Sequence, residues 1–176
     1  EGWDSDLEGS HAELADIRAG RAEATADDRE HLVALYDGEL AYWDHQVSNL
    51  IAHVESLGLL EETIVVFVGD HGEQFNEHGD WLHGALYQEN IHVPMVLRIP
   101  GLTGRRIAGR VQVMDVTPTL AGLCGLPPVE IWQARDLREE ILAGEVKGGS
   151  VFTQYGTERA LVNEDGMKLL FEDGAA

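Results

Sequence analysis

Residues 64–73 read IVVFVGDHGE, an apolar and mostly β-branched run that stops at an acid, an imidazole and a glycine. A segment apolar on both faces is expected of a strand in a parallel sheet covered by helices on both sides. In open α/β sheets, ligands bind just beyond the carboxyl ends of such strands. Asp70 and His71 stand at that end of the predicted strand 64–69. An oxygen and a nitrogen donor side by side suit a divalent metal. Gly72 permits a close backbone approach or a positive φ at the same place.

The segments around this strand alternate helix and strand. Residues 1–24 are acidic, Ala/Gly-rich and weakly patterned, a lead-in with room for one short helix. Thr25 and Asp28 then have capping-box spacing. Beyond them Tyr36, Leu40, Trp43, Val47, Leu50, Val54 and Leu57 form one apolar stripe of a long helix, expected to face the core. Gly58 ends it as a C′ residue. The loop 70–92 is rich in Gly, His and acids, with a helical turn expected near Leu86; a loop of this length in a compact domain is usually functional. A second apolar strand runs from Met95 to Ile99. Val111 to Met114 read as a short extended segment. A helix follows, capped by Asp115 or Thr117, with Pro118 in its first turn and an end near Cys124–Gly125. The tail reads as short strands at Ser150 to Gln154, Ala160 to Asn163 and Met167 to Phe171, the last two joined by an Asp165–Gly166 turn.

Charge narrows the function classes. The net charge is -20, with 32 acids and only the lysines Lys147 and Lys168. No basic stripe exists to neutralise phosphates, so nucleic acid is not an expected partner. No run approaches the roughly 18 apolar residues of a membrane span. The acidity is read as an adaptation to high salt, where an acidic surface maintains solubility. A single cysteine, Cys124, excludes an intrachain disulfide.

Asp70 and His71 are the first candidates for chemistry, as metal ligands. His71, His78 and His83 lie within thirteen positions, interleaved with Glu73, Glu77 and Asp80. A His/Asp/Glu-rich loop at the end of a buried strand is what an oxygen-and-nitrogen metal site requires. His83 is the second candidate, as a cation holding an anionic substrate oxygen or protonating a leaving group; its blander reading is a surface imidazole. His78–Gly79 reads as a turn, and His92 as a packing residue at a strand entrance. His45 and His53 read as solvated. Cys124, within LAGLCGLPP, reads as a buried and inert thiol. Arg105, Arg106 and Arg110 read as a solvated turn, with an anion patch as the sharper alternative.

These pieces, in their order, resemble the C-terminal half of the catalytic domain of sulfatases, within the alkaline phosphatase superfamily. The resemblance runs from about residue 30 to 172. It rests on YDGELAYWD, LGLLEETIVVFVGDHGE, EHGDWLHGALYQENIHVPMVLRIPG, VQVMDVTPTLAGLCGLP and VFTQYG…RALVNEDGMKLLFE. It implies an α/β fold: part of a mainly parallel sheet flanked by helices, then the start of a small C-terminal antiparallel sheet. Residues 1–145 would belong to the catalytic domain and 146–176 to the C-terminal β subdomain. The same resemblance implies that Asp70 and His71 bind a divalent metal, calcium first, with manganese or zinc as alternatives. His83 matches the position where a Lys or His contacts the ester oxygens. The substrate would be an anionic ester, either a small molecule or a glycan.

Two features qualify the expected activity. Many sulfatases carry Asn at the position of His71. His there is common in relatives that cleave phosphodiesters or phosphonate monoesters, so those reactions, and phosphoglycerol transfer, are the alternatives. A non-catalytic acidic module that binds a metal or a partner is the alternative of another class. The family nucleophile lies in a C/S-x-P-x-R motif and becomes formylglycine. No such motif occurs here, and Cys124 in LCGLPP does not match it. The chain begins EGWDSD without an initiator Met and ends EDGAA, and it reads as a piece of a longer protein. Its location in the cell is therefore unassigned. Two ligands fall short of a hard cation's six or more, so weak metal affinity and negligible esterase activity are expected of these residues alone. An apolar sheet edge is expected to be exposed and to favour self-association.

Overall fold

The computed structural model describes residues 4–172 and divides the chain into two compact units. The first takes in the chain up to Val65, with His71–Gly84 and Gln88–Val93. The second takes in Val66–Asp70, Ala85–Tyr87 and the chain from Pro94 onward.

The first unit is built on two helices, α1 (His11–Arg18) and α2 (Ala26–Ser56). Both start at capping boxes. Ser10 and Glu13 cap α1, and Thr25 and Asp28 cap α2, each pair exchanging side-chain and backbone bonds. These bonds satisfy N–H groups that a helix start leaves without partners. The end of α2 is a Schellman motif. Gly58 N–H donates to the Glu55 carbonyl at 2.8 Å and Leu59 N–H to that of Val54 at 3.2 Å, with Gly58 at φ 71°. Only glycine takes that φ without steric cost.

The loop beyond Asp70 is more ordered than its composition predicts. It contains an antiparallel hairpin, β2 (Gln74–Phe75) and β3 (Trp81–Leu82), with Gln74 opposite Leu82 and Phe75 opposite Trp81. Asn76 at φ 72° and Gly79 at φ 77° form its turn, closed by Asn76 N–H on the Asp80 carbonyl at 2.9 Å. The helical turn, α3, lies at Gln88–Ile91, slightly later than the expected Leu86. Trp81 and Leu82 pack with Ile17 and Leu32 as the core of this unit, flanked by Leu7, Leu14, Ala24 and Phe75. Tyr36 adds an edge-on contact to Phe75, ring centres 5.4 Å apart. The rest of the α2 stripe corrects its expected role. Leu40, Trp43, Leu50 and Leu57 are exposed, and Leu32 is the one buried residue of α2. The stripe has helical spacing, but no described residue covers its far end.

The second unit holds β1 (Val65–Val68) paired with β4 (Met95–Arg98). The expectation that this strand is covered on both faces fails within the described residues: Phe67 is 41% exposed and Val96 60%. Helix α4 (Val116–Leu123) follows a 3-10 turn at Val113–Asp115, where an extended segment was expected. Asp115 precedes α4 without a side-chain cap bond. It is 1% exposed, and its carboxylate accepts from the backbone N–H groups of Gln112 at 3.0 Å and Arg135 at 2.8 Å. The first bond closes the capping box of the 3-10 turn and the second ties that turn to the loop at Arg135, while α4 itself gets no cap from this side chain. A short α5 (Arg138–Ala143), not foreseen, ends at Gly144. The tail forms the expected meander, β5 (Val151–Tyr155), β6 (Glu158–Val162) and β7 (Lys168–Glu172), antiparallel throughout. No described helix is long and apolar enough to cross a membrane.

Candidate active site

Hairpin register brings two candidate side chains together within the first unit. Because Gln74 pairs with Leu82, Glu73 and His83 are the next residues outward on facing strands. Residues opposite one another in an antiparallel pair have side chains close enough to interact. The Glu73 Oε2–His83 Nδ1 distance is 3.2 Å. A carboxylate accepts, so Nδ1 carries the hydrogen. Leu82, just before His83, has φ 69° although it is 8% exposed and bulky. Such a residue in the left-handed region costs on the order of 1–3 kcal/mol and is retained where its surroundings enforce it, often beside functional groups.

The ring of His71 stacks on that of His83, centroids 3.9 Å apart and planes 25° from parallel. His71 Nδ1 lies 2.8 Å from the Gly72 carbonyl oxygen. A carbonyl only accepts, so the Nδ1 of His71 is protonated. In the neutral ring the lone pair is then on Nε2, the nitrogen through which such a tautomer ligates metals. The two histidines singled out in the sequence are thus in contact, with Glu73 beside them.

Behind this cluster the backbone is locked. Gly72 N–H donates to the Asn90 carbonyl at 2.8 Å, and a Cβ at position 72 would collide with the Glu89 carbonyl. Glycine is needed here for close approach. Gln74 and Asn90, both buried, share an amide–amide bond of 2.9 Å. His78 Nε2 lies 3.4 Å from Glu89 Oε2, so His78 serves the loop beside α3. In the turn, Glu77 accepts from Phe75 N–H at 2.6 Å and from Arg29 Nη2 at 3.1 Å. Burial pulls the Glu77 pKa upward, but the backbone N–H groups of Glu77 and Phe75 and the Arg29 guanidinium outweigh it, and the net shift is downward. Arg18 grips Asp80 with two bonds, Nε–Oδ1 at 2.8 Å and Nη2–Oδ2 at 2.9 Å, fixing the hairpin to α1.

Asp70 belongs to the second unit, exposed beyond β1, while the Gly69 N–H bonds the Pro94 carbonyl at 3.1 Å. Among the described residues no group of three or more His, Cys, Asp or Glu side chains is gathered to hold a metal ion. The donor types of Asp70 and His71 suit a divalent cation. They amount to two donors of the six or more that calcium takes.

The other candidates resolve differently. Cys124 is exposed, which corrects the expectation of a buried thiol; the turn at Gly125 leaves the end of α4 open. Arg105 bonds the carbonyls of Ile141 and Leu142 at the end of α5, and Arg110 those of Asn163 and Glu164. Both brace turns, while Arg106 is exposed. His45, His53 and His92 are exposed. Sequence reasoning noted Glu73 only as one acid among several. Its link to His83 was legible only through the hairpin, signalled by Asn76 and Gly79 with five residues between Phe75 and Trp81.

Solved structures superpose on this chain and define its fold class. The phosphonate monoester hydrolase from Silicibacter pomeroyi superposes with a TM-score of 0.72 at 20% identity, covering 89% of this chain and 37% of that one. A 2-O GAG sulfatase gives a TM-score of 0.70 at 20% identity, covering 93% and 40%. The chain shares the fold of the corresponding part of these proteins. The sequence model of the Sulfatase family matches residues 7–126, more than half of the 176 residues, and the chain belongs to the sulfatase family. It is 30% identical over 104 residues to arylsulfatase K of Bos taurus, covering 58% of this chain and 19% of that protein. It is 31% identical over 121 residues to iduronate 2-sulfatase of Homo sapiens, covering 53% and 22%. The chain spans about a fifth of the length of these curated relatives.

Proposed function

We propose that this chain supplies one wall of the active site of a sulfate-ester hydrolase. In this reading His83 contacts the ester oxygens, and Asp70 and His71 supply two donors to a divalent metal, calcium first. The nucleophile, a formylglycine, and the remaining ligands come from residues outside this sequence. The observation that carries the reading is the contact between the His71 and His83 rings in a chain of this family. It brings a nitrogen suited to a metal beside a nitrogen suited to an oxyanion. A bound metal would polarise the ester and activate the nucleophile. The protein groups hold their positions through Glu73, the Gly72–Asn90 bond and the strained Leu82. β1 and β4 would be two strands of a larger, mainly parallel sheet, and the apolar surfaces of β1, β4 and α2 would be covered there.

The substrate is an anionic sulfate ester, small or borne on a glycan. The second reading, a phosphonate monoester or phosphodiester hydrolase, draws on His71, where the family resemblance has Asn in many sulfatases. Assay of the full-length protein against an aryl sulfate, a phosphonate monoester and a phosphodiester separates the two. The sulfatase reading predicts the sulfate ester as the best substrate. Residues 1–176 alone are predicted to show negligible turnover and weak metal binding; robust hydrolysis by them would overturn that.

A further inference from the structure

We propose that Glu73 is the positioning residue for His83, fixing which imidazole nitrogen faces the substrate; this deepens the proposed function and rests on it for the role of His83. Three observations converge. The β2–β3 register sets Glu73 across from His83, and the carboxylate meets Nδ1 at 3.2 Å. The His71 ring covers one face of the His83 ring at 3.9 Å, so the ring plane is held as well as its edge. The backbone immediately before His83 takes the left-handed conformation at Leu82, an enforced geometry that aims the next side chain.

Glu73 also carries a cost that a structural surface acid does not. Its Oε1 is buried without a hydrogen-bond partner among the described residues, while Oε2 is committed to His83. Leaving a buried acceptor unsatisfied is unfavourable. Replacing the carboxylate by an apolar side chain would remove that cost and lose only the bond to the imidazole. The bond to the imidazole is what stands against that cost, and it points to positioning as the work of this acid. With Nδ1 engaged, Nε2 on the opposite edge of the ring is the nitrogen left to face the substrate, and it donates to an ester oxygen when the ring takes up a second proton. An imidazole oriented by a carboxylate at one nitrogen and working through the other is a recurrent catalytic arrangement.

The test is the tautomer of His83, read by nitrogen NMR on 15N-histidine-labelled chain without substrate, at a pH well above the ordinary histidine pKa of about 6.5. The expected result is His83 with its hydrogen on Nδ1. Glu73→Gln keeps an acceptor oxygen and should keep that tautomer. Glu73→Leu should shift His83 to the Nε2–H form that free imidazole side chains prefer. His71, held by the Gly72 carbonyl, is the internal control and should stay Nδ1–H in every variant. An Nε2–H tautomer of His83 in the unmodified chain would overturn the proposal without reference to any variant. So would an unchanged tautomer in folded Glu73→Leu protein. Neither result depends on turnover, so failure here is distinct from failure of the sulfatase reading, which the substrate assay decides.

Discussion

The backbone N–H of Gly72 donates to the carbonyl oxygen of Asn90 at 2.8 Å, tying the segment that carries His71 to the short helix α3. The approach is so close that a methyl group at position 72 meets the Glu89 carbonyl. Gly72→Ala should therefore push α3 away and disturb the His71–His83 stack. Overpacking of this kind typically costs about 1–3 kcal/mol. Urea unfolding should show a lowered midpoint, and a midpoint unchanged from the parent would mean that the segment yields freely.

The core of the first unit is small, so it should be sensitive. Trp81 and Leu32 are both buried and pack with Ile17 and Leu82. Trp81→Ala should cost about 3–5 kcal/mol and Leu32→Ala about 2–5 kcal/mol, each a large share of a small domain's stability. Hydrogen exchange is expected to quicken throughout α1 and the hairpin. Leu40→Ala, on the exposed part of α2, should leave exchange there nearly unchanged.

Acid should loosen the start of α2 and the hairpin turn together. The Asp28 pKa is lowered by the Ser5 hydroxyl, then by the Thr25 backbone and hydroxyl, with a smaller contribution from His31. That of Glu77 is lowered on balance despite burial, by backbone N–H groups and Arg29. A depressed carboxylate pKa adds stability that is complete above the unfolded value of about 4 and is lost as pH falls through the lower folded value. Amide chemical shifts of Thr25, Asp28 and Phe75 should hold steady from neutral pH down to about 4 and move below it. Movement at neutral pH would contradict this assignment.

How much of this was legible follows from how local each signal is. Thr25 with Asp28, Gly58 and the Asp165–Gly166 turn each state their structure within a few residues, and all appear where expected. The hairpin of Gln74–Phe75 and Trp81–Leu82 was missed because two-residue strands carry no periodicity. With it went the pairing of Glu73 and His83. Asp115 reads as a cap because of its position before α4, but its partner Arg135 lies twenty residues on, beyond any local rule. The stripe on α2 predicted a helix correctly and its burial wrongly, since spacing reports one face and not what lies against it.

That exposed stripe has a consequence in solution. Trp43 and Leu50 are each 59% exposed. The net charge of -20 opposes association at low ionic strength. Salt shortens the Debye length from about 30 Å at 0.01 M to about 8 Å at 0.15 M. Residues 1–176 should therefore self-associate increasingly as salt rises, as sedimentation velocity would show. Trp43→Glu with Leu50→Glu should restore the monomer. Association that weakens with salt would contradict the apolar origin.

The central claim is that His83 acts on a sulfate ester. The direct measurement is kcat/KM for an aryl sulfate in the full-length protein, unmodified and as His83→Ala, with Cys124→Ala as a control. Removing one preorganised group that stabilises a developing oxyanion typically costs about 10²–10³-fold in rate. A loss of that size in His83→Ala, with Cys124→Ala unchanged, is the predicted result. Full sulfatase activity in folded His83→Ala protein would contradict the account.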